Sequence, residues 1–337
     1  MKRMKRRFGL QKAGPRNRSD QRAELLLGAL ACVVLALIAG MIIFVFQKAW
    51  PSFSHNGLAW FGFGGNIDDQ LTAIFESPAN PSQYVYTLHA GPLIYATVLI
   101  TFWAVVLGLG FALLSAMFIV EFAPEAIRRV LEPVVRLLAA VPSVIYGLIG
   151  ILVLVPFVGN HIITAGEKHS VAGVVTLSGA SVGVGILILT VMITPIMVAI
   201  VVDALRAVPT SWREGAVSLG VNRWRALWTV SVRAARPAIV AAAVLATARA
   251  LGEAIMLSMV TGSVGFSPNP LDGIIYFAEP ARPLAATIVD NADGLSVPPY
   301  GQTLYAFAAV LLVSAAFLSF GGWYIRRRLR RYSLSPV

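Results

Sequence analysis

Two oppositely charged residues, Arg249 and Glu253, lie four positions apart in an otherwise apolar segment. On a continuous helix this spacing places them one turn apart on the same face. A charge at the centre of a membrane costs about 2.5–3.5 kcal/mol on insertion scales, so the pair is a candidate functional site. The planar guanidinium of Arg249 suits a tetrahedral oxyanion, while Glu253 would hold it in place and limit anion retention. The alternative is an internal ion pair that only fixes helix packing.

A second candidate region is the segment 203–236, which follows the fourth of six long apolar runs. Thr210 or Ser211 could cap a short helix there, and Glu214 would then fall in its first turn, where the helix dipole favours an anion. Gly220 is expected to end or bend that helix.

Another short helix is predicted directly after Gly220. Trp224, Leu227 and Trp228 have the spacing that places three side chains on one helix face. We therefore expect a short helix, a turn and an amphipathic helix at the inner face of a membrane. The alternative is an interfacial helix that lies on lipid without a protein partner.

The composition indicates a membrane protein. Hydrophobic residues make up 57% of the 337 residues and charged residues only 13%, whereas roughly a quarter of a soluble domain is charged. Six segments are long enough to cross about 30 Å of hydrocarbon, at 25–46, 93–120, 134–158, 184–202, 237–261 and 303–325. Pro142 and Pro156 interrupt the third segment and Pro195 interrupts the fourth, which predicts kinks. The predicted fold class is all-α, a polytopic integral membrane protein with about six transmembrane helices.

The basic residues predict the orientation of these helices. They concentrate at 1–23, 121–136, 203–236 and 326–331 and are scarce in the other connections. Because cytoplasmic loops carry an excess of Lys and Arg, both termini are expected in the cytoplasm. The clusters flank apolar runs, which favours an orientation signal over nucleic-acid binding. The run at 25–46 is too long for a secretory signal core, so we interpret it as an uncleaved first span.

The sequence predicts no enzyme site, no cofactor and no metal site. It lacks a G-x-x-x-x-G-K-[ST] phosphate loop and shows no nucleophile–base grouping. His161, Glu167 and His169 share a polar loop, but three such residues are more often solvated than bound to a metal. The single cysteine, Cys32, makes no intrachain disulfide.

The segment Glu214-x-Ala216-x-x-x-Gly220 resembles the "EAA" loop of ABC-importer permeases. In that family the loop forms a short helix that docks into a groove of the ATPase subunit. The resemblance therefore implies ATPase coupling for Glu214, Gly215, Ala216 and Gly220. Gly215 stands where alanine is usual, and Arg233 stands where the extended pattern ends in proline.

The stretch from Arg249 to Glu253 resembles the PstC-type permease of bacterial phosphate ABC importers. The family's third-span motif is matched by Pro142-Ser143-Val144-Ile145-Tyr146-Gly147, and 122–124 and 203–209 also fit. Ala254 stands where threonine is common. The resemblance covers about residues 20 to 330 and implies a type I ABC-importer permease fold.

This resemblance implies a permease subunit that gives phosphate alternating access across the bacterial inner membrane, with ATP hydrolysed by a separate subunit. The implied partners are a PstA-type sister permease, two ATPase subunits, an extracytoplasmic phosphate-binding protein and membrane lipid. The predicted domain organisation is a basic cytoplasmic N-terminus, a first span with an outer loop, a permease core that contains the coupling loop 203–236, and a basic cytoplasmic C-terminus, at 1–23, 24–92, 93–325 and 326–337.

Two alternatives remain open from the residues. One is a permease for another oxyanion, sulfate or molybdate, although the Arg249–Glu253 pair and the third-span motif argue against it. A membrane scaffold or sensor could dock a cytoplasmic partner through 203–236, but it would not need paired charges in the membrane.

Overall fold

A computed structural model describes residues 18–170, 175–265, 267–273 and 275–329. The predicted basic termini therefore lie largely outside the described residues. The chain divides into two units, residues 1–47 and residues 48–337. The described part of the first unit belongs to a single helix that begins at Arg18, and its large apolar side chains from Leu25 to Ile43 are exposed.

The described residues form fifteen α-helices and no strand. In chain order they are α1 Arg18–Asn56, α2 Ile67–Phe75, α3 Gly91–Met117, α4 Glu125–Ala139, α5 Ser143–Ile149, α6 Val155–Phe157, α7 Ala165–Ser170, α8 Val182–Arg206, α9 Thr210–Ser218, α10 Arg223–Ala226, α11 Arg233–Leu251, α12 Ile255–Val260, α13 Ile275–Ala278, α14 Leu284–Asp290 and α15 Pro298–Leu329. Short π-helical segments extend α3 to Phe122, join α5 and α6 and extend them to Ile162, and join α10 to α11.

Six helical segments of the described chain are long and apolar enough to cross a membrane, which confirms the predicted number. They are Arg22–Phe61, Gly91–Phe122, Ser143–Ile162, Val182–Arg206, Arg223–Leu251 and Pro298–Arg328. Four of them extend beyond the predicted bounds at both ends, and the fifth segment extends beyond them at its start, because helices continue past the apolar stretch that identifies them.

The third segment differs from the prediction at its start. Residues 134–139 belong to α4, a separate amphipathic helix, and the crossing begins at Ser143. Pro142 has an extended backbone (ψ 138°) and directly precedes α5, since a proline cannot supply the backbone N–H that a continuing helix needs. The predicted kink at Pro142 is therefore a helix boundary. By contrast, α8 runs through Pro195 without a break.

The core of the second unit is built around α8. Two thirds of its most apolar stretch is buried, and it packs against α3, α4 and α11. A helix that is apolar on all sides is expected at the centre of a bundle. α8 thus supports the elements on either side of it, including α9 at its C-terminal end.

The fifth crossing is broken near its end. α11 ends at Leu251, residues 252–254 are not helical, and α12 begins at Ile255. The predicted continuous span 237–261 is therefore wrong in this respect. The break falls inside the stretch that carries Arg249 and Glu253.

Candidate functional site

The helix α9 forms where the sequence predicts one, but its N-terminus differs from the prediction. Pro209 occupies the N-cap position, and no side chain caps the helix. The expected cap by Thr210 or Ser211 is wrong, because α9 already begins at Thr210. Glu214 is the fifth helical residue and therefore lies beyond the first turn.

Gly220 ends α9 as predicted. Its φ is +83°, a left-handed conformation that favours glycine. The Gly220 N–H donates to the carbonyl of Val217 at 2.9 Å, and the Val221 N–H donates to the carbonyl of Ala216 at 3.2 Å. These two bonds form a Schellman motif, which satisfies the last carbonyls of the helix.

None of the side chains of α9 is buried. Glu214 and Gly215 are exposed and Ala216 is half-buried, while the apolar side chains of Val217 and Leu219 are 44% and 85% exposed. These two apolar side chains are therefore accessible from outside the chain.

One ion pair joins α9 to the second crossing. The guanidinium of Arg213 lies 2.5 Å from the carboxylate of Glu121, and both side chains are about four-fifths buried. Glu121 lies in the π-helical end of the second crossing. The pair is a direct contact between α9 and the end of the second crossing. Sequence reasoning missed the pair because its members are 92 residues apart.

The predicted second short helix is the beginning of the fifth crossing. α10, a π-helical segment and α11 run without interruption from Arg223 to Leu251. Leu227 is buried, whereas the Trp224 and Trp228 rings are partly exposed and lie 5.9 Å apart. Trp224 also lies 6.2 Å from the ring of Phe122. The expected amphipathic face exists, but it packs partly inside the protein.

Arg249 and Glu253 do not share a helix face. Arg249 is exposed in the last turn of α11, whereas Glu253 is buried and lies after the helix end. Within the described residues, neither side chain forms an ion pair. Instead, the Glu253 carboxylate accepts a hydrogen bond from the backbone N–H of Met256 at 3.3 Å, in the first turn of α12. The geometry of the predicted pair is therefore wrong because the helix ends between its members.

The break in the fifth crossing packs against the third-span motif. Arg249 and the hydroxyl of Tyr146 interact electrostatically, and that hydroxyl donates to the carbonyl of Leu138 at 3.0 Å. A Cβ at Gly147 would lie 3.1 Å from the Cα of Met256, and one at Gly150 would lie 2.5 Å from a methyl group of Val260. The two glycines thus permit close approach of α5 and α12.

On the face opposite α9, a cluster of polar residues joins distant parts of the chain. Arg282 lies 2.7 Å from the carboxylate of Asp68 and donates to the carbonyl of Ser263. Ser263 has a φ of +47°, and its hydroxyl donates to Asp290 at 2.7 Å. Sequence reasoning missed this cluster, although Arg282 was recognisable as an isolated basic residue in a long connection.

Glu279 is a buried carboxyl group on the same face. It is 1% exposed, and its carboxylate accepts from the Asn269 N–H at 3.1 Å. Burial raises the pKa of Glu279 from 4.5 to about 7. Its backbone carbonyl accepts from Val182, which attaches the segment to the start of α8.

Comparison with known proteins finds transport permeases that are similar to most of this chain. A family model described as "Binding-protein-dependent transport system inner membrane component" matches residues 104–331. The "Probable ABC transporter permease protein YqgH" of Bacillus subtilis is 33% identical over 76% of this chain and 76% of its own length. The "Phosphate transport system permease protein PstC 1" of Mycobacterium tuberculosis is 30% identical over 97% of this chain and 98% of its own length.

Solved structures show the same fold at low identity. A chain of a bacterial alginate ABC transporter matches with a TM-score of 0.57 and 14% identity, covering 96% of this chain and 100% of that chain. A chain of the MetNI methionine ABC transporter, in an inward-facing conformation, matches with a TM-score of 0.51 and 17% identity, covering 70% of this chain and 94% of that chain.

Proposed function

The chain belongs to the family of binding-protein-dependent transport system inner membrane components, as a permease of the PstC type, and from this premise we propose how it works. It is the transmembrane permease subunit of an ATP-driven importer of inorganic phosphate. The observation that carries this function is the similarity to a PstC permease along nearly the whole chain. ATP hydrolysis belongs to a separate ATPase subunit, and this chain has no catalytic role.

Arg249 and Glu253 form the electrostatic part of the phosphate pathway. The exposed guanidinium of Arg249 is available to an anion because, among the described residues, no carboxylate neutralises it. Planar hydrogen bonding suits phosphate oxygens. Glu253, whose carboxyl group is held at the start of α12, limits how long the anion stays.

α9 is the coupling helix, with Glu214, Gly215, Ala216 and Gly220 at the ATPase surface. This role is supported by the exposure of most of its residues, by its glycine-terminated end and by the ion pair between Arg213 and Glu121. A change in the ATPase would move α9, and that pair would pull on α3.

The complex contains a PstA-type sister permease, two ATPase subunits and an extracytoplasmic phosphate-binding protein. The exposed Arg249 would face the sister permease across the pathway. The protein lies in the bacterial inner membrane with both termini in the cytoplasm, because the segments 121–136 and 203–236 and the end of α15 carry most of the basic side chains of the described residues.

Uptake of radiolabelled phosphate tests this function. Cells that lack their own phosphate importer are supplied with this chain, its sister permease and its ATPase. We expect ATP-dependent uptake that excess unlabelled phosphate suppresses and excess sulfate or molybdate does not. Equal suppression by sulfate or molybdate would instead identify a different oxyanion. Normal membrane abundance without any anion uptake would favour a scaffold or sensor.

A further inference from the structure

The helix α4 lies at one membrane surface. The second crossing ends at Phe122, directly before α4, and the third begins at Ser143, directly after it. Both ends of α4 therefore lie at the same side of the membrane as the end of α8 and as α9. Its 15 residues run between two crossings without forming one.

Although α4 packs against α8, none of its side chains is buried. Leu131 and Val135 contact the core and occupy one side of the helix. The neighbouring arc is apolar and exposed, with Ile127, Val130, Val134, Leu137 and Leu138 between 42% and 68% exposed. An exposed apolar arc at the level where two crossings meet the surface is typical of a helix that lies in the membrane interface.

The remaining arc of α4 is basic. Together with the end of α8 it forms an open groove of about 640 Å³, lined by Glu125, Arg128, Arg129, Glu132, Arg136 and Arg206. The four arginines and two glutamates leave the groove with two positive charges in excess.

Two of the four arginines in the groove, Arg206 and Arg128, form several hydrogen bonds within the protein. Arg206 binds Glu132 with both of its terminal nitrogens, and this hydrogen bonding lowers the pKa of the Glu132 carboxyl. Arg128 donates to the carbonyls of Ile119 and Val120.

Arg129 and Arg136 keep most of their donors available. Arg129 is 77% exposed and contacts Glu125 through a single nitrogen at 3.2 Å. Arg136 has no ion-pair partner in the part of the chain that the structure describes. The two arginines are seven positions apart, so their side chains leave the same face of the helix, two turns apart. They flank the pair of Glu132 and Arg206.

We propose that α4 is an interfacial helix whose groove binds the headgroup of an anionic phospholipid through Arg129 and Arg136. The acyl chains of the lipid lie along the exposed apolar arc, and the guanidinium groups contact the phosphate. An anionic phospholipid uses both the two arginines and the exposed apolar arc of α4. A soluble anion would use the arginines alone, and a neutral lipid would use only the apolar arc. This proposal depends on membrane insertion and not on phosphate transport.

Titration with phosphatidylglycerol tests the site. The full-length protein is purified in detergent with its associated subunits, and retained lipid is counted by native mass spectrometry as dioleoyl phosphatidylglycerol is added. Each arginine that contacts the bound anionic headgroup contributes about a factor of five in affinity. Arg129→Gln/Arg136→Gln should therefore weaken phosphatidylglycerol binding roughly 30-fold, whereas Arg129→Lys/Arg136→Lys should retain most of it and shows that the fold survives substitution.

The matched control is Arg326→Gln/Arg327→Gln, which removes two exposed arginines at the end of α15. This control should bind phosphatidylglycerol like the wild type. With the wild-type protein, neither phosphatidylcholine nor inorganic phosphate should saturate the site. Unchanged affinity in the α4 variant, or equal weakening in the control, overturns the proposal. Saturation by inorganic phosphate would identify a soluble anion site. Loss of a co-purifying subunit with unchanged lipid binding would identify a protein-docking surface.

Discussion

Arg249 and Glu253 are separated by the end of α11, so each side chain belongs to a different local structure. Arg249 remains exposed beside Tyr146, whereas Glu253 is buried and accepts a hydrogen bond from the start of α12. A packing role would require the two charges to compensate each other directly. Their separation favours a role of Arg249 toward something outside this chain.

Replacement of Arg249 tests its role in the pathway. Arg249→Gln should abolish phosphate uptake while membrane abundance stays normal, because the charge is removed and a similar length is kept. Arg249→Lys should restore only part of the uptake, since an ammonium lacks the planar fork. Uptake by cells and immunoblots of their membranes measure both quantities.

The double variant Arg249→Gln/Glu253→Gln separates the pathway role from packing. The glutamine amide oxygen at 253 still accepts from Met256, so assembly should persist and uptake should remain absent. If the charges only fixed packing, loss of one would disrupt the complex at a cost of about 3–5 kcal/mol. Restored uptake in the double variant would disprove the pathway role.

At the scale of elements, α9 depends on how it ends. Its C-terminal carbonyls are satisfied only because Gly220 adopts a positive φ. No atom lies within 4 Å of a Cβ placed there, so a substitution acts through the backbone and not through a clash. The turn determines the direction in which the chain leaves α9 toward the fifth crossing.

Gly220→Val should weaken ATPase association. A left-handed conformation costs an L-residue about 1–2 kcal/mol, which corresponds to a loss of roughly 5- to 30-fold in binding. The fraction of ATPase that co-purifies measures this effect, and Gly220→Asn should lose less because asparagine tolerates positive φ.

Gly273→Val is the matched control for this experiment. Gly273 also has a positive φ (+65°) and a Cβ there meets open space, but it lies in the connection after α12 and outside α9, so valine should leave ATPase association unchanged. A normal amount of ATPase with Gly220→Val would show that the conformation of the turn does not matter for docking.

At the scale of the whole molecule, buried polar groups connect the segments opposite α9 to the helical core. Arg282 joins α2 to the segment after α12, and Glu279 joins the neighbourhood of α13 to α8. Burial disfavours the ionised form of Glu279, and its pKa is therefore raised to about 7. The free energy of unfolding therefore depends on pH.

Between pH 4.5 and about 7, the unfolded chain releases the proton of Glu279 while the folded protein retains it. The free energy of unfolding should therefore fall as pH rises through this window, by about 3 kcal/mol in total. Glu279→Gln should remove this dependence and raise the unfolding temperature at pH 8. Thermal unfolding of the purified protein at several pH values measures this pH dependence.

Asp293→Asn is the comparison for Glu279→Gln, because Asp293 is an exposed carboxylate in the same connection. It should leave the pH dependence unchanged. An identical pH profile for wild type and Glu279→Gln would contradict the raised pKa.

The six crossings were predictable from the sequence, because transfer of apolar side chains into lipid is a local property that each segment expresses by itself. The turn at Gly220 was predictable for a similar reason, since positive φ depends on one residue type. The PstC-type motifs also indicated the family, although they did not indicate how their residues contact one another.

The tertiary structure decided the properties that depend on distant residues. Local helix propensity does not predict that α11 ends before Glu253. The close packing of α12 against Gly147 and Gly150 accompanies this helix end. The packing of α4 against α8 likewise joins segments that are distant in the sequence. The ion pairs of Arg213 with Glu121 and of Arg282 with Asp68 join residues 92 and 214 positions apart. Such pairs form only when packing has brought the helices together, since charge and spacing along one segment carry no information about the partner segment.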